Sequence, residues 1–296
     1  MDGLLIIDKP TGPTSHDVVA RMRRVLGERR IGHTGTLDPN ASGVLPLVIG
    51  RATRLAKFLS GGNKTYEAVV RFGVATDTYD AEGTPAGARS TAPPPSRDAI
   101  ERALDAFRGT FMQQPPAYSA KKIDGERSYK AARADRPALP EPVSVTVHRL
   151  ELMSLEGEDA TLRVECSAGF YVRSLAHDLG ARLGVGAHLD ALRRTVSAGL
   201  TLLDAMPLEF AERSREDSVA AILPLDAMLP HLSAVVLTDE GLLRVLHGRN
   251  IGAAEVSSGS LEATGPTKLL DQLGQLVGIA EPTEAPGVLH PSVVLR

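Results

Sequence analysis

IGHTGTLDPNASGVLPLVIG, residues 31 to 50, places a single aspartate, Asp38, between glycine-containing bends and a long apolar segment. Pro39 biases the backbone of Asp38 away from the helical region, and Gly35 and Gly43 permit tight turns on either side of it. A carboxylate in such a loop either hydrogen-bonds its own turn or is held rigidly for use as a nucleophile or base. The pattern leaves both interpretations open.

The segments that flank this stretch predict alternating strands and helices. Residues 3–26 predict a short strand, a Pro/Gly turn and a helix with Ser15 as its N-cap. RATRLAKFL (51–59) predicts a short basic helix, and KTYEAVVRF (64–72) predicts a strand. Residues 96–109 predict a helix with Ser96 as the N-cap and Gly109 just beyond its C-terminus.

The later segments predict two strands, a helix and a small second domain. VSVTVHRLELMSLEG (143–157) and DATLRVECSAG (159–169) alternate as strands do, and FYVRSLAHDLGARLG (170–184) predicts a helix ended by Gly184. Residues 113–143 are rich in proline, which favours a mobile arm. We therefore expect an α+β protein. Residues 1–230 would form a mixed, mainly antiparallel sheet with flanking helices, and residues 231–296 a small β-rich domain.

Composition is that of an ordinary globular protein. The 296 residues are 43% hydrophobic and 23% charged, which is enough to bury a substantial core. The single cysteine, Cys166, excludes an intrachain disulfide and fits a reducing cytosol. The N-terminal apolar run covers only residues 4–7, and no later run approaches the about 18 residues of a membrane span. We expect a cytoplasmic protein with no membrane segment.

Charge is distributed unevenly along the chain. The net charge is −3, yet residues 1–64 hold ten Lys/Arg against five Asp/Glu, whereas residues 232–296 hold four against seven. The N-terminal part is therefore suited to face phosphate groups, and scattered surface charge is the alternative. The eight histidines show no ligand spacing, and no phosphate-binding loop or G-x-S-x-G elbow is present. We expect no metal.

Four further residues are candidates beside Asp38, each with an ordinary structural alternative. Arg173 near the start of a helix can form a surface ion pair, bind phosphate, or keep a buried carboxylate ionised. Tyr66 and Tyr171 can be half-buried strand tyrosines, and His33 can be a turn or core histidine. Spacing alone does not decide among these roles.

Four blocks in order give the chain a resemblance to one family. GHTGTLDPNASGVLPLVIGRATRLAKFL, KTYEAVVRFGVATDTYDAEG, PPAYSAKKIDGERSYKAAR and GFYVRSLAHDLGARLGVGAHLDALRRT resemble the tRNA pseudouridine synthase B family over residues 3–199. The last segment is loosely similar to the RNA-binding PUA domain of these enzymes. The resemblance implies the pseudouridine synthase fold and conversion of uridine 55 in the tRNA T-arm to pseudouridine, with base flipping and without a cofactor.

The resemblance also implies residue roles. Asp38 matches the essential aspartate, Tyr66 the active-site tyrosine and Arg173 the arginine that pairs with the aspartate. Whether Asp38 attacks C1′, attacks C6 or removes the 2′ proton stays open. The positions that match substrate contacts are the wedging His33, the nucleotide-holding Asp80, Tyr171 and Leu192, and Lys64 is a further candidate for substrate binding.

RNA binding is expected to use the basic N-terminal part. Phosphate contacts are expected from the arginine-rich first helix and from Arg51, Arg54, Lys57 and Lys64, and the 113–143 arm is expected to order on binding. We expect a monomer. Two alternatives stay open: a guide-RNA-dependent synthase of the same fold, and an RNA-binding chaperone that assists tRNA folding.

Overall fold

A mixed sheet with helices on its faces forms the larger part of the protein. The computed structural model describes residues 1–117 and 140–295, and it describes the backbone alone for residues 122–123 and 126–127. Among these residues the main sheet has ten strands in the order β12-β1-β3-β10-β4-β9-β8-β5, with β2 beside β3 and β11 beside β10. These strands are β1 (Gly3–Lys9), β2 (Ile31–His33), β3 (Ala41–Ile49), β4 (Lys64–Phe72), β5 (Gly109–Gln113), β8 (Val143–Glu156), β9 (Asp159–Cys166), β10 (Ala187–Ser197), β11 (Leu200–Thr201) and β12 (Met206–Pro207).

The pairing of these strands confirms the predicted α+β class. Only the β1–β12 and β3–β10 pairs are parallel, and every other pair in this sheet is antiparallel. Strands β6 (Lys122–Ile123) and β7 (Glu126–Arg127) pair only with each other among the described residues. The helices are α1 (Ser15–Leu26), α2 (Ala56–Ser60), α3 (Arg97–Leu104), α4 (Val172–Arg182), α5 (Leu208–Arg213), α6 (Arg215–Ala220) and α7 (Asp239–Leu246).

The apolar runs of the sequence bury both faces of the central strands. Side chains alternate between the two faces of a strand. In β1, Leu5 and Ile7 therefore join the main core, while Leu4 and Ile6 join a second cluster on the opposite face. Strand β3 divides its side chains in the same way. Burial on both faces explains why these strands are continuously apolar.

Two predicted helix ends are wrong. The N-cap of α1 is Thr14, which forms a capping box with Asp17, and the predicted cap Ser15 is the first helical residue. Ser96 caps α3 as predicted by accepting from the amide of Ala99. That helix ends at Leu104, however, and Gly109 begins strand β5.

A second sheet follows the main one. Its strands are β13 (Ser233–Leu237), β14 (Val256–Ser258), β15 (Thr267–Leu270), β16 (Leu276–Pro282) and β17 (Leu289–Val294), in the order β14-β13-β15-β16-β17. It has its own apolar cluster, which includes Val235, Leu269 and Val277. Leu276 and Ile279 instead join the cluster that covers β1 and β3, so the two sheets share packed side chains. The expected boundary between residues 230 and 231 stays a prediction.

The predicted 113–143 arm lies largely outside the described residues. Of this arm, residues 113–117 and 140–143 are described, together with the backbone of residues 122–123 and 126–127. None of the helices in the described part of the chain is long and apolar enough to cross a bilayer.

Candidate active site

Asp38 lies in the loop between β2 and β3, and its backbone position is fixed by contacts with α1. The carbonyl of Asp38 accepts a hydrogen bond from the amide of Ala41 at 3.0 Å. The Ser15 hydroxyl accepts from the amide of Leu37 at 2.8 Å and donates to its carbonyl at 3.0 Å. Ser15 therefore anchors the residue before Asp38 instead of capping its own helix.

Two buried cations support the same loop from beneath. Lys9 is fully buried, and its ammonium group donates to the carbonyl of Ala41 at 2.6 Å. Burial lowers the pKa of Lys9 to about 8, although the nearby Asp38 carboxylate opposes this shift. Arg194 is 1% exposed and donates to the carbonyl of Gly35 at 3.1 Å. Neither cation was predicted as a site residue.

Arg173 connects two carboxylates. Its Nε lies 3.1 Å from Oδ2 of Asp38, and its Nη1 lies 3.4 Å from Oδ2 of Asp80. Nη1 also donates to the carbonyl of Thr78 at 3.2 Å. The Arg173 side chain is 10% exposed, whereas that of Asp38 is 44% exposed, so the carboxylate that faces solvent is that of Asp38. Asp38 is thus oriented by a buried cation and accessible to a ligand.

A cleft of about 380 Å³ opens beside this ion pair. It gathers most of the residues that the sequence singled out: His33, Asp38, Lys64, Tyr66, Tyr171, Arg173 and Leu192. Asp80 is absent from this lining, but together with Asp38 and Leu192 it lines a small adjoining cavity. All eight candidates therefore lie around one concave surface, which is the usual form of a ligand site.

Tyr66 forms part of the inner wall of the cleft. It is 8% exposed and pairs across the sheet with Arg194 of β10. Burial raises the pKa of Tyr66 above its ordinary value of 10.0, so the phenol is protonated at neutral pH. Tyr66 therefore presents a neutral hydroxyl and an aromatic ring.

The backbone of Tyr171 is held by a residue that the sequence did not indicate. Gln113 is 2% exposed, and its side-chain oxygen accepts from the amide of Tyr171 at 2.8 Å. The Gln113 amide group in turn donates to the Tyr171 carbonyl at 3.0 Å. This pair of bonds fixes the N-cap position of α4, two residues before Arg173.

Asp80 is oriented by the loop that carries it. The Thr78 hydroxyl donates to Oδ1 of Asp80 at 2.6 Å, which leaves Oδ2 for Arg173. Tyr79 adopts a positive φ of 66° and stacks on His177 of α4 with ring centroids 3.8 Å apart. The stack fastens this loop to the helix that carries Arg173.

Several cations expected to meet RNA have partners within the protein. Lys64 is 8% exposed and donates to the carbonyls of Ser60 and Gly62 at 2.9 and 2.6 Å, while still lining the cleft. Three others contact the C-terminal part of the chain: Arg51 with Leu295, Arg54 with Val294 and Lys57 with Glu281. These three side chains join the two sheets, a role that the sequence did not predict.

Arg194 could have been found from the sequence only if β10 had been predicted as a strand. Residues two apart in a strand point to the same face, so Leu192 and Arg194 both face the cleft, but no strand was predicted over residues 187–197. Lys9, Ser15 and Gln113 had no comparable signal. Within the described residues, no group of three or more His, Cys, Asp or Glu side chains is placed to hold a metal ion.

Comparison with known proteins supports a relationship over the whole chain. Residues 23–172 match the model of the TruB family pseudouridylate synthase N-terminal domain, and residues 173–230 match that of the tRNA pseudouridylate synthase B C-terminal domain. The tRNA pseudouridine synthase B of Solibacter usitatus (strain Ellin6076) is 45% identical over 297 residues, covering all of both chains. That of Pseudomonas aeruginosa (strain UCBPP-PA14) is 40% identical over 301 residues, covering all of this chain and 96% of the other.

Two solved structures share the fold. One is an H/ACA ribonucleoprotein bound to a substrate RNA that contains 2′-deoxyuridine, with a TM-score of 0.73 and 25% identity. The match covers 99% of this chain and 85% of that one. The other is a Cbf5-Nop10-Gar1 complex, with a TM-score of 0.73, 28% identity, and coverage of 98% and 84%.

Proposed function

Because this chain belongs to the TruB family of pseudouridylate synthases, we propose that its substrate site is uridine 55 in the T-loop of tRNA. Membership makes the protein an isomerase that converts uridine to pseudouridine in RNA. The observation that carries the proposal of catalysis at this site is the accessible Asp38 carboxylate, held by Arg173 at the edge of a cleft of about 380 Å³.

The cleft requires the target base to leave its stack. An enzyme that acts on a base within folded RNA flips it out, at a cost of a few kcal/mol. His33 lies at the cleft with its ring 5.3 Å from that of His16, where it can fill the vacated position in the RNA. Tyr66 supplies an aromatic face for the flipped uracil, and Leu192 supplies an apolar contact.

The chemistry is a rearrangement within the substrate. The C1′–N1 bond breaks, the uracil turns and a C1′–C5 bond forms, while the C5 proton is lost to water and N1 gains a proton. Asp38 can act by attack at C1′, by attack at C6 or by removal of the 2′ proton, and Arg173 orients its carboxylate for each. Atoms and electrons balance without an oxidant or reductant, so we propose that no cofactor is used.

Recognition of the T-arm would depend on its shape. RNA loops are read through unstacked bases and 2′-hydroxyl groups more than through a groove, and phosphate contacts make binding depend on salt. Arg24 and Arg29 are exposed on and after α1, where they are available to phosphates. We further propose that residues 231–296 form a PUA-like RNA-binding domain and that the protein is a cytoplasmic monomer.

A T-arm stem-loop with tritium at C5 of uridine 55 alone tests this proposal. Formation of the C1′–C5 bond expels the label into water, so we expect stoichiometric release with chelator present and no added RNA or protein. A matched stem-loop labelled at a different uridine should release none. Release only after addition of a guide RNA would favour the guide-dependent alternative. Binding without release would favour the chaperone alternative.

The first prediction concerns Asp38→Asn, which removes the carboxylate and keeps the side-chain volume. We expect release of label to fall below detection while the dissociation constant for the stem-loop changes by less than about threefold, since a catalytic group acts on the transition state more than on binding. Filter binding and single-turnover release measure the two effects. Equal losses of binding and release would show that Asp38 supports structure instead.

A further inference from the structure

Arg194 is a buried cation directly beneath the cleft. It is 1% exposed and lies on β10, on the same face as Leu192 and opposite Tyr66 of β4. Its side chain lines the cleft. No carboxylate forms an ion pair with it among the residues that the structure describes. A buried charge without a counter-ion is costly, so its presence requires an explanation.

Backbone carbonyls offset part of this cost. Nε of Arg194 donates to the carbonyl of Val44 at 2.8 Å, and Nη2 donates to that of Gly35 at 3.1 Å. Nη1 reaches the carbonyl of Thr36 at 3.5 Å. Gly35 and Thr36 stand just before Leu37 and Asp38 in the loop. The guanidinium group therefore fixes the backbone that leads into Asp38.

Arg194 also lies directly across the β4–β10 pair from Tyr66, and its positive charge favours the phenolate form of Tyr66 against the effect of burial. A guanidinium group carries only donors and a positive charge, so it attracts the phenolic oxygen of Tyr66 and repels the phenolic hydrogen. The phenolic hydrogen is then directed to another acceptor. Because the ring of Tyr66 lines the cleft, that hydrogen is available to a group bound there.

We propose that Arg194 is a positioning residue that fixes the approach to Asp38 and turns the Tyr66 hydroxyl toward the flipped base. This inference rests on the proposed function and extends it. Arg194 forms no ion pair with Asp38 or Asp80, the two carboxylates that contact Arg173. It acts on the reaction through Tyr66 and the Asp38 loop. The alternative is that Arg194 merely fills space between β3, β4 and β10.

A double-mutant cycle separates these roles. Single-turnover release of C5 tritium is measured for the wild type, Arg194→Met, Tyr66→Phe and the double variant. We expect Arg194→Met to slow release by roughly 100-fold, as a misplaced reacting group does. In the Tyr66→Phe background the same change should cost much less, because the hydroxyl that Arg194 orients is already gone. Arg194→Lys should recover part of the rate, because lysine keeps a positive charge beside the phenol.

Arg193→Met is the matched control. Arg193 is the neighbouring residue on the opposite face of β10 and pairs with Asp8 at 2.7 Å. It does not line the cleft, so its loss should leave release within about twofold of the wild type. Melting temperatures of all variants show whether a rate loss follows unfolding. Equal fold-losses from Arg194→Met in both Tyr66 backgrounds would mean that Arg194 acts through the Asp38 loop alone and would overturn its role in orienting Tyr66, and a loss of less than about twofold in the wild-type background would overturn the whole proposal.

A second readout needs no RNA. 3-Fluorotyrosine placed at position 66 reports its own ionisation through its ¹⁹F chemical shift. Arg194→Met and Arg194→Lys should each change its titration, upward for Met because the cation that favours the phenolate is removed, whereas Arg193→Met should not. An unchanged titration in both Arg194 variants would overturn the proposal. If the wild type released no label from the T-arm RNA, the proposed function would fail while this titration still decided the Arg194–Tyr66 contact.

Discussion

Lys9 shows at the scale of one residue how much support the Asp38 loop requires. Its ammonium group lies among the carbonyls of Pro10, Pro39 and Ala41, at 2.9, 3.4 and 2.6 Å. These carbonyl dipoles stabilise the positive charge of Lys9. The ammonium group in turn supplies hydrogen-bond donors to carbonyls of the Asp38 loop. Because Lys9 is buried, keeping it in its protonated form at neutral pH costs free energy.

This cost gives a prediction about stability and pH. The pKa of Lys9 falls from 10.5 in the unfolded chain to about 8 in the folded protein. Between these values the unfolded state binds more protons, so the contribution of Lys9 to the unfolding free energy rises with pH, by roughly 3 kcal/mol in total. It is fully present above pH 10.5 and lost as the pH falls through 8. The unfolding free energy of the wild type minus that of Lys9→Met should follow this curve in denaturant titrations.

Lys268→Met is the control for this measurement. Lys268 is only partly buried, in the second sheet, so its substitution removes a lysine without touching the Asp38 loop. A difference for Lys9→Met that does not vary with pH would mean that Lys9 titrates in the folded protein as it does in the unfolded chain. The group would then be better hydrated than its burial indicates.

Sequence reasoning reached the residues that carry chemistry but not those that hold them. Asp38, Tyr66 and Arg173 stand in blocks whose order resembles one family, and the structure gathers them at one cleft. The supports are different in kind. Ser15 bonds Leu37 across 22 positions, and Gln113 bonds Tyr171 across 58. Such bonds depend on which backbone carbonyl or amide comes near in the fold, and residue type does not encode that.

Glycine 43 is the corresponding feature at the scale of the elements. It lies in β3 opposite Arg194 of β10, has a φ of +104°, and a Cβ there would meet the Arg194 carbonyl oxygen at 2.1 Å. The parallel β3–β10 pair can approach only because this position has no side chain. The pair also sets Ala41, at the end of the Asp38 loop, opposite Leu192.

Gly43→Ala should therefore separate these strands. We expect a loss of about 3 kcal/mol or more of unfolding free energy, because the new methyl group meets backbone that has no room to move. Single-turnover release should fall as well, since the Asp38 loop begins β3. Gly32→Ala is the control, because its φ is not positive and its nearest neighbour would be a side-chain carbon at 3.7 Å. Two equally mild losses would show that the strands can adjust.

Elements were predicted more reliably than their ends. β8 and β9 follow their alternating patterns, and α1 buries Val18, Val19 and Met22 as helical spacing requires. The N-cap of α1 was predicted wrongly because two neighbouring residues are both suited to that position. Thr14 and Ser15 are both good caps, and the choice fell to Thr14 because the Ser15 hydroxyl bonds Leu37.

At the scale of the whole molecule, the uneven charge of the chain is partly explained within the protein. Lys57 of the basic N-terminal part pairs with Glu281 of the acidic C-terminal part at 3.1 Å. Arg51 and Arg54 donate to carbonyls at the end of β17 and just beyond it. These partners lie 224 to 244 positions apart, so the sequence offered no reason to connect them. Part of the basic character that indicated RNA binding also joins the two sheets.

We therefore expect that substituting Arg24 changes RNA binding, whereas substituting Arg54 changes stability. Arg24 is exposed in the last turn of α1 and has no ion-pair partner among the described residues, so Arg24→Gln should weaken T-arm binding and reduce the slope of log affinity against log salt by about one. Arg54→Gln should leave that slope unchanged. It should instead lower the unfolding free energy by about 1 kcal/mol, because its bond to the Val294 carbonyl is lost. Binding titrations from 50 to roughly 200 mM salt and thermal denaturation of both variants measure the two effects. A reduced slope for Arg54→Gln would show that Arg54 contacts RNA phosphate. Its bond to the Val294 carbonyl would then have to open when RNA binds.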